Sequence, residues 1–195
     1  MIIYLHGFLS SPASIKAGRL KQHMEAKGLL ALYDCPPLPH EPAAAVSLVE
    51  KRIRTSRSPV TLIGSSLGGY YATWLAEQYN LKAVLINPAV VAAMSLRDYV
   101  GRQENLYTGE AFEFTEAHIA QLEAIEVPAI TRPQRYLLMV ETGDEALDYR
   151  QAVAKYEGAR QIVHEGGDHS FTRFADYLDA ILAFAGIGGR SAGET

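Results

Sequence analysis

The chain contains a single cysteine, Cys35, and so cannot close an intrachain disulfide. It carries no surplus of positive charge. Lys and Arg number 18 against 22 Asp and Glu, for a net charge of −4. The basic residues are scattered, which excludes a footprint for nucleic-acid phosphates and leaves a small molecule as the expected partner. Uninterrupted apolar runs such as Ala89 to Met94 fall far short of the roughly 18 residues that suggest a membrane span, so no membrane association is expected. Met1-Ile2-Ile3-Tyr4-Leu5 lacks the basic head and long apolar core of a secretory signal, and a cytoplasmic location is the expectation. No internal repeat, Walker-type phosphate loop or metal-type Cys/His spacing is present. What is there is 195 residues, 48% hydrophobic and 21% charged, enough for one globular domain with a core that needs no covalent staple.

Short apolar runs recur at Ile2–Leu5, Leu30–Tyr33, Val60–Ile63, Ala83–Ile86, Tyr136–Val140 and Arg160–His164, with mostly helix-like segments between them. Runs that are apolar on both sides of the pleat suit strands covered on both faces. The alternation therefore predicts an α/β fold with a mostly parallel sheet of about six strands. The first helix has Ser11 or Ser14 as caps and Pro12 in its first turn. Ala13, Ala17, Leu20 and Met24 lie on one face, and Gly28 ends it. Near the end, Phe171, Phe174, Leu178, Ile181 and Leu182 form an apolar stripe reaching Phe184.

One connection breaks the rhythm. About 45 residues from Asn87 to Gln134 separate two strands that a single helix could join, and a structureless loop of that length is unusual. The segment carries Tyr99, Tyr107, Phe112 and Phe114, then a helical pattern from Thr115 with Ile119, Leu122 and Ile125 on one side. It is expected to be a small helical cap. Residues 1–186 then form a single domain with the cap inserted at about 88–134, and the Gly-rich residues 187–195 form a flexible tail.

The stretch Val60-Thr61-Leu62-Ile63-Gly64-Ser65-Ser66-Leu67-Gly68-Gly69 runs from an apolar strand through G-x-S-x-G into a helical pattern. A serine on so sharp a strand-to-helix turn needs small neighbours two residues away on each side, which Gly64 and Gly68 supply. Ser66 is the candidate nucleophile. Its hydroxyl requires a base and a group to orient that base. His6, His23 and His40 precede the serine, His118 falls in the cap and His164 ends a strand. His169 is left, in the Gly-rich loop Glu165-Gly166-Gly167-Asp168-His169-Ser170. The acid is expected after the strand Tyr136–Val140, where Thr142-Gly143-Asp144-Glu145-Ala146-Leu147-Asp148 offers three carboxylates. Asp144 is the choice, directly off the strand behind a turn-forming glycine. Asp148 reads better as a helix N-cap with Gln151 three residues on, and Glu145 as a solvent-facing residue.

Acyl transfer also needs N–H donors for the developing oxyanion. The backbone N–H of Leu67, next to the nucleophile, is one candidate, and that of Phe8, after Leu5-His6-Gly7, is the second. His6 is read as a structural tie for that loop. Tyr107 and Phe112 in the cap are the candidate substrate-binding residues, because aromatics in an insertion on the serine's side of the sheet need a surface to bury against. Chemistry of this kind calls for no cofactor and no metal. Two rivals use the same residues: transfer of the acyl group to an alcohol or thiol instead of water, and a ligand-binding protein without catalysis.

With these elements placed, the chain resembles the α/β-hydrolases over nearly its whole length. More narrowly, it resembles the bacterial YqiA-type esterases. The shared strings are Tyr4-Leu5-His6-Gly7-Phe8 with Ser10-Ser11-Pro12, Gly64-Ser65-Ser66-Leu67-Gly68-Gly69-Tyr70-Tyr71-Ala72-Thr73-Trp74, and Asn87-Pro88-Ala89. To these are added Glu104-Asn105 with Tyr107-Thr108-Gly109, Thr142-Gly143-Asp144-Glu145 with Asp148-Tyr149-Arg150-Gln151-Ala152, and Glu165-Gly166-Gly167-Asp168-His169-Ser170-Phe171. The resemblance implies a small intracellular esterase acting on carboxylic ester or thioester bonds, with Ser66, Asp144 and His169 matching the expected triad. It also implies a hydrolase sheet shortened by two strands, with its edge at Leu30–Tyr33.

Overall fold

The computed structural model describes residues 1–188. Six strands, β1 (Ile2–Leu5), β2 (Tyr33–Asp34), β3 (Thr61–Ser65), β4 (Lys82–Ile86), β7 (Tyr136–Glu141) and β8 (Arg160–His164), form one sheet in the order β2-β1-β3-β4-β7-β8. Every neighbouring pair runs parallel. Period-2 alternation sorts the strand side chains into two cores. Ile2, Tyr4, Ile63, Val84, Leu137 and Met139 pack on one face against α1 (Ile15–Ala26) and α7 (Leu178–Ala185). Ile3, Leu5, Leu62, Leu85, Leu138 and Val140 pack on the other against α2 (Pro42–Thr55), α3 (Leu67–Tyr79) and α6 (Tyr149–Lys155). With both faces covered, the strands are apolar throughout, which is why they read as continuous runs.

Three local expectations change. Leu30–Leu32 is a 3-10 turn and only Tyr33–Asp34 pairs with β1, as Tyr33 meets Ile2, so the edge strand is two residues long. A short edge limits unpaired backbone. Ala13 is exposed and lies ahead of α1, because the Ser11 hydroxyl accepts its N–H at 3.0 Å and holds a turn that delays the helix to Ile15. The insertion after β4 holds α4 (Ala92–Leu96) and α5 (Glu116–Ala124), but between them Gly101–Glu104 (β5) and Ala111–Phe114 (β6) form an antiparallel hairpin. The cap is therefore mixed rather than helical: half-buried Gln103 and Phe112 alternate with exposed neighbours, a period of two that polar residues obscure. At the C-terminus Gly186 closes α7 in the left-handed conformation and Ile187 is buried in the core beneath it. Of the expected tail, residues 189–195 lie outside the described residues. No helix among the described residues is long and apolar enough to cross a membrane.

Candidate active site

The parallel sheet delivers its strand ends to one edge, and the candidate residues all leave from that edge. Ser66 sits between β3 and α3 with φ 55° and ψ −122°, a conformation that side chains avoid and that surrounding contacts must enforce. Its N–H donates to the Ile86 carbonyl at 3.1 Å, and its own carbonyl accepts the N–H groups of Gly69 at 2.9 Å and Ala89 at 3.1 Å. The two flanking glycines are required by contact. A Cβ on Gly64 would lie 2.2 Å from the Gly68 carbonyl oxygen, and one on Gly68 would lie 2.0 Å from that of Leu5.

His169 and Asp144 arrive from loops after β8 and β7. The His169 Nε2 lies 3.0 Å from the Ser66 Oγ, and its Nδ1 lies 2.9 and 2.8 Å from the two Asp144 carboxylate oxygens. The structure thus brings Ser66, His169 and Asp144 into one hydrogen-bonded chain. The Asp144 side chain is 2% exposed, and its Oδ1 also accepts the N–H groups of Ala146 and Leu147. Asp148 lies elsewhere: its carboxylate accepts the Arg150 N–H at 3.0 Å as the N-cap of α6. Glu145 is exposed, yet its Oε2 accepts the backbone N–H of His169 at 3.0 Å.

Gly7 packs directly against the serine, since a Cβ built on it would lie 3.2 Å from the Ser66 Cβ and 3.7 Å from its Oγ. The chain continues to Phe8, and Leu67 opens α3, where first-turn N–H groups have no partner inside the helix. His6 ties this loop from within. Its Nε2 accepts the Leu38 N–H at 3.1 Å, so Nδ1 carries the proton and donates to the Gly7 carbonyl at 3.1 Å. Burial lowers its pKa, against the opposing pull of the Gly7 carbonyl. From the same side Lys16 on α1 donates to the Ser170 carbonyl at 2.6 Å, with its pKa pushed down to about 8 by burial despite Asp168, Glu141 and Asp144 nearby. Burial pushes the Cys35 thiol up to about 11, the opposite of an activated nucleophile.

The cap crosses this loop. Asn105 donates from Nδ2 to the Ser10 carbonyl at 2.8 Å, and Leu106 N–H donates to Leu9 at 3.0 Å. Phe8 meets Tyr99, Phe112 and Phe114 edge-on, contacts of about 0.5–1.5 kcal/mol each. Two cavities flank the loop. One of about 580 Å³ holds Ser66, His169 and Lys16 and is bordered by Tyr107, Leu106 and Ile15. The other, about 250 Å³, is lined by Phe8, Leu67, Tyr71 and Phe112. Tyr107 and Phe112 therefore face different cavities.

Residues from distant segments also gather one possible metal set, His40, Glu41 and His118, with donor atoms within 4.8 Å of one another. His118 does not fit that role: its Nδ1 accepts the Thr115 N–H at 2.8 Å as part of the α5 capping box, which leaves Nε2 protonated and a donor.

Two residues that the sequence reading assigned no role hold the His169 loop. Asn87 donates to the carbonyls of Asp168 and His169 and accepts the Glu141 N–H. Glu141, fully buried, accepts four hydrogen bonds from residues 168–173. A signal for Glu141 was present, as a carboxylate directly closing an otherwise apolar strand has to be paired or hydrogen-bonded.

Residues 1–186 match the uncharacterised protein family UPF0227. The chain belongs to that family. Among its relatives, the UPF0227 protein YcfP of Salmonella paratyphi A is 27% identical over 191 residues, covering 96% of this chain and all of YcfP. This UPF0227 chain has the α/β-hydrolase fold. The mouse α/β hydrolase domain-containing protein 10 superposes with a TM-score of 0.71 at 16% identity, covering 93% of this chain and 87% of the mouse protein. The Paleococcus ferrophilus monoacylglycerol lipase superposes with a TM-score of 0.67 at 15% identity, covering 94% and 93%.

Proposed function

We propose that this UPF0227 chain is a serine esterase that hydrolyses carboxylic ester or thioester bonds of small acyl substrates through an acyl-enzyme. The observation that carries the reading is the 3.0 Å contact between Ser66 Oγ and His169 Nε2, continued at 2.8 Å from His169 Nδ1 to Asp144. In this mechanism His169 takes the Ser66 proton as Oγ attacks the acyl carbon, while Asp144 fixes the tautomer and stabilises the imidazolium. The N–H groups of Phe8 and Leu67 hold the oxyanion. His169 then returns the proton to the departing alcohol or thiol, and water activated by the same imidazole releases the acid.

Tyr107 and Phe112 contribute to substrate binding in this reading, Tyr107 at the mouth of the larger cavity and Phe112 in the smaller one. The hydrolase fold of the mouse protein and of the Paleococcus ferrophilus lipase is consistent with hydrolysis, and the chemistry itself rests on the three side chains. The test is covalent labelling. An organophosphonate should modify Ser66 and be lost in Ser66→Ala together with hydrolysis of a short-chain p-nitrophenyl ester. Label on Ser65 or Ser170, or a Ser66→Ala variant that hydrolyses the ester at the wild-type rate, would overturn the assignment.

A further inference from the structure

Glu141 is a fully buried carboxylate with no role in the proton transfers above. It ends β7, three residues before Asp144, and no Lys or Arg nitrogen among the described residues lies within 4 Å of it. The hydrogen bonds to its carboxylate come from the loop that carries His169. Its Oε2 accepts the N–H groups of Asp168 at 2.9 Å and Thr172 at 3.1 Å. Its Oε1 accepts the Thr172 hydroxyl at 3.0 Å and, at 3.4 Å, the Arg173 N–H. The loop approaches so closely that a Cβ on Gly167, which also has φ +74°, would lie 2.0 Å from Oε2. A single side chain therefore sets the path of the main chain on both sides of His169, and it converges donors on itself as an ionised carboxylate does.

We propose that Glu141 is a positioning residue for His169: it fixes the imidazole toward Ser66 and places a second negative charge against the loop that carries His169, which favours the imidazolium formed during acyl transfer. The inference rests on the esterase reading for its catalytic consequence, but its electrostatic part concerns His169 alone. The charged groups around His169 are Asp144 on its Nδ1, Glu145 on its backbone N–H, Asp168 beside it, Lys16 on the Ser170 carbonyl, and Glu141. Removing one negative charge from this set makes the imidazolium harder to form.

Glu141→Gln isolates the charge from the shape. With its amide oxygen in the Oε2 position it keeps the Asp168 and Thr172 N–H bonds, and its NH₂ donates to the Thr172 hydroxyl, so only the 3.4 Å contact is given up. The expected result in the full chain is a His169 imidazole titration, followed by NMR, displaced toward acid relative to the wild type. The acid limb of kcat/KM on a short-chain p-nitrophenyl ester should move with it, and kcat should fall roughly tenfold or more with KM little changed. Thr172→Val keeps the charge and deletes one donor, so kcat should fall a few-fold with the titration unmoved. It decides the positioning role should Glu141→Gln fail to fold. A Glu141→Gln protein with wild-type His169 titration, or a Thr172→Val protein with wild-type kcat, overturns the proposal. Failure of the esterase reading is a separate result, equal hydrolysis by wild type and Ser66→Ala, and the NMR titration still decides the electrostatic role of Glu141.

Discussion

The sheet edge and the cap face each other across the cavities and are built on opposite terms. At the sheet edge the Asp144 side chain is 2% exposed and accepts two backbone N–H groups of its own loop, and the fully buried Glu141 carboxylate accepts three from the loop that carries His169. In the cap hairpin Leu106 is 79% exposed and Tyr107 46%, and two hydrogen bonds tie its turn to the loop after β1. In the esterase reading the two regions need precision to different degrees. A proton transfer would tolerate errors of a few tenths of an ångström at most, which calls for groups fixed by strand ends and buried hydrogen bonds. Recognition of an apolar chain would be non-directional, and a loosely tethered wall of aromatic and aliphatic residues would suffice for it.

If this division holds, substitutions at the edge should abolish turnover and those in the cap should redistribute it. The largest effect is expected from Ser66→Ala, which should lower kcat/KM for a short ester on the order of 10⁴-fold or more while leaving the circular dichroism spectrum unchanged. Next, Asp144→Asn should lower kcat by roughly 10⁴-fold, because the wrong imidazole tautomer faces Ser66. Asp148→Ala, only four residues away, should instead cost about 0.5–2 kcal/mol of stability in urea unfolding as a lost helix cap. The opposite pattern at 144 and 148 would reverse their roles.

The loop after β1 belongs to the edge by its bonding, and His6 gives it a pH dependence. Burial holds the folded pKa of His6 below the unfolded 6.5, so the folded state binds fewer protons. The stability this residue contributes is present above pH 6.5 and lost as pH falls below it, by up to about 1.4 kcal/mol per pH unit. Unfolding midpoints measured between pH 7 and pH 5 should fall more steeply for the wild type than for His6→Asn. The smallest effects are expected in the cap. Tyr107→Ala and Phe112→Ala should change the acyl chain-length optimum, each methylene gained or lost counting for about 0.8 kcal/mol, while the smallest ester is still hydrolysed. Short or medium chains should be preferred by the wild type. Cap variants that keep the wild-type chain-length profile would move the binding surface to the loops after other strands.

What could be read in advance follows the same division. The strands of the sheet stand out because each is covered on both faces, and the elbow stands out because its two glycines are demanded by contacts within a few residues and by the neighbouring strand end. The hairpin in the cap was not legible, since a half-exposed ribbon with Arg102, Glu104 and Glu113 pointing outward leaves only a weak apolar pattern. The 3-10 turn at Leu30–Leu32 is apolar like a strand, but Leu and Ala carry no strand preference, and only Tyr33–Asp34 reaches the sheet.

Periodicity and glycine spacing act over distances of a few residues, so the β/α alternation and the turn at Ser66 follow from residue order. The pairing of distant groups follows from how the strands assemble. Ser66 and His169 are 103 residues apart, and the buried charge of Glu141 is compensated by N–H groups 27 to 32 residues further on. Backbone donors leave no mark in residue identity, so a carboxylate that organises them is visible only once parallel strands have brought their ends to the same edge.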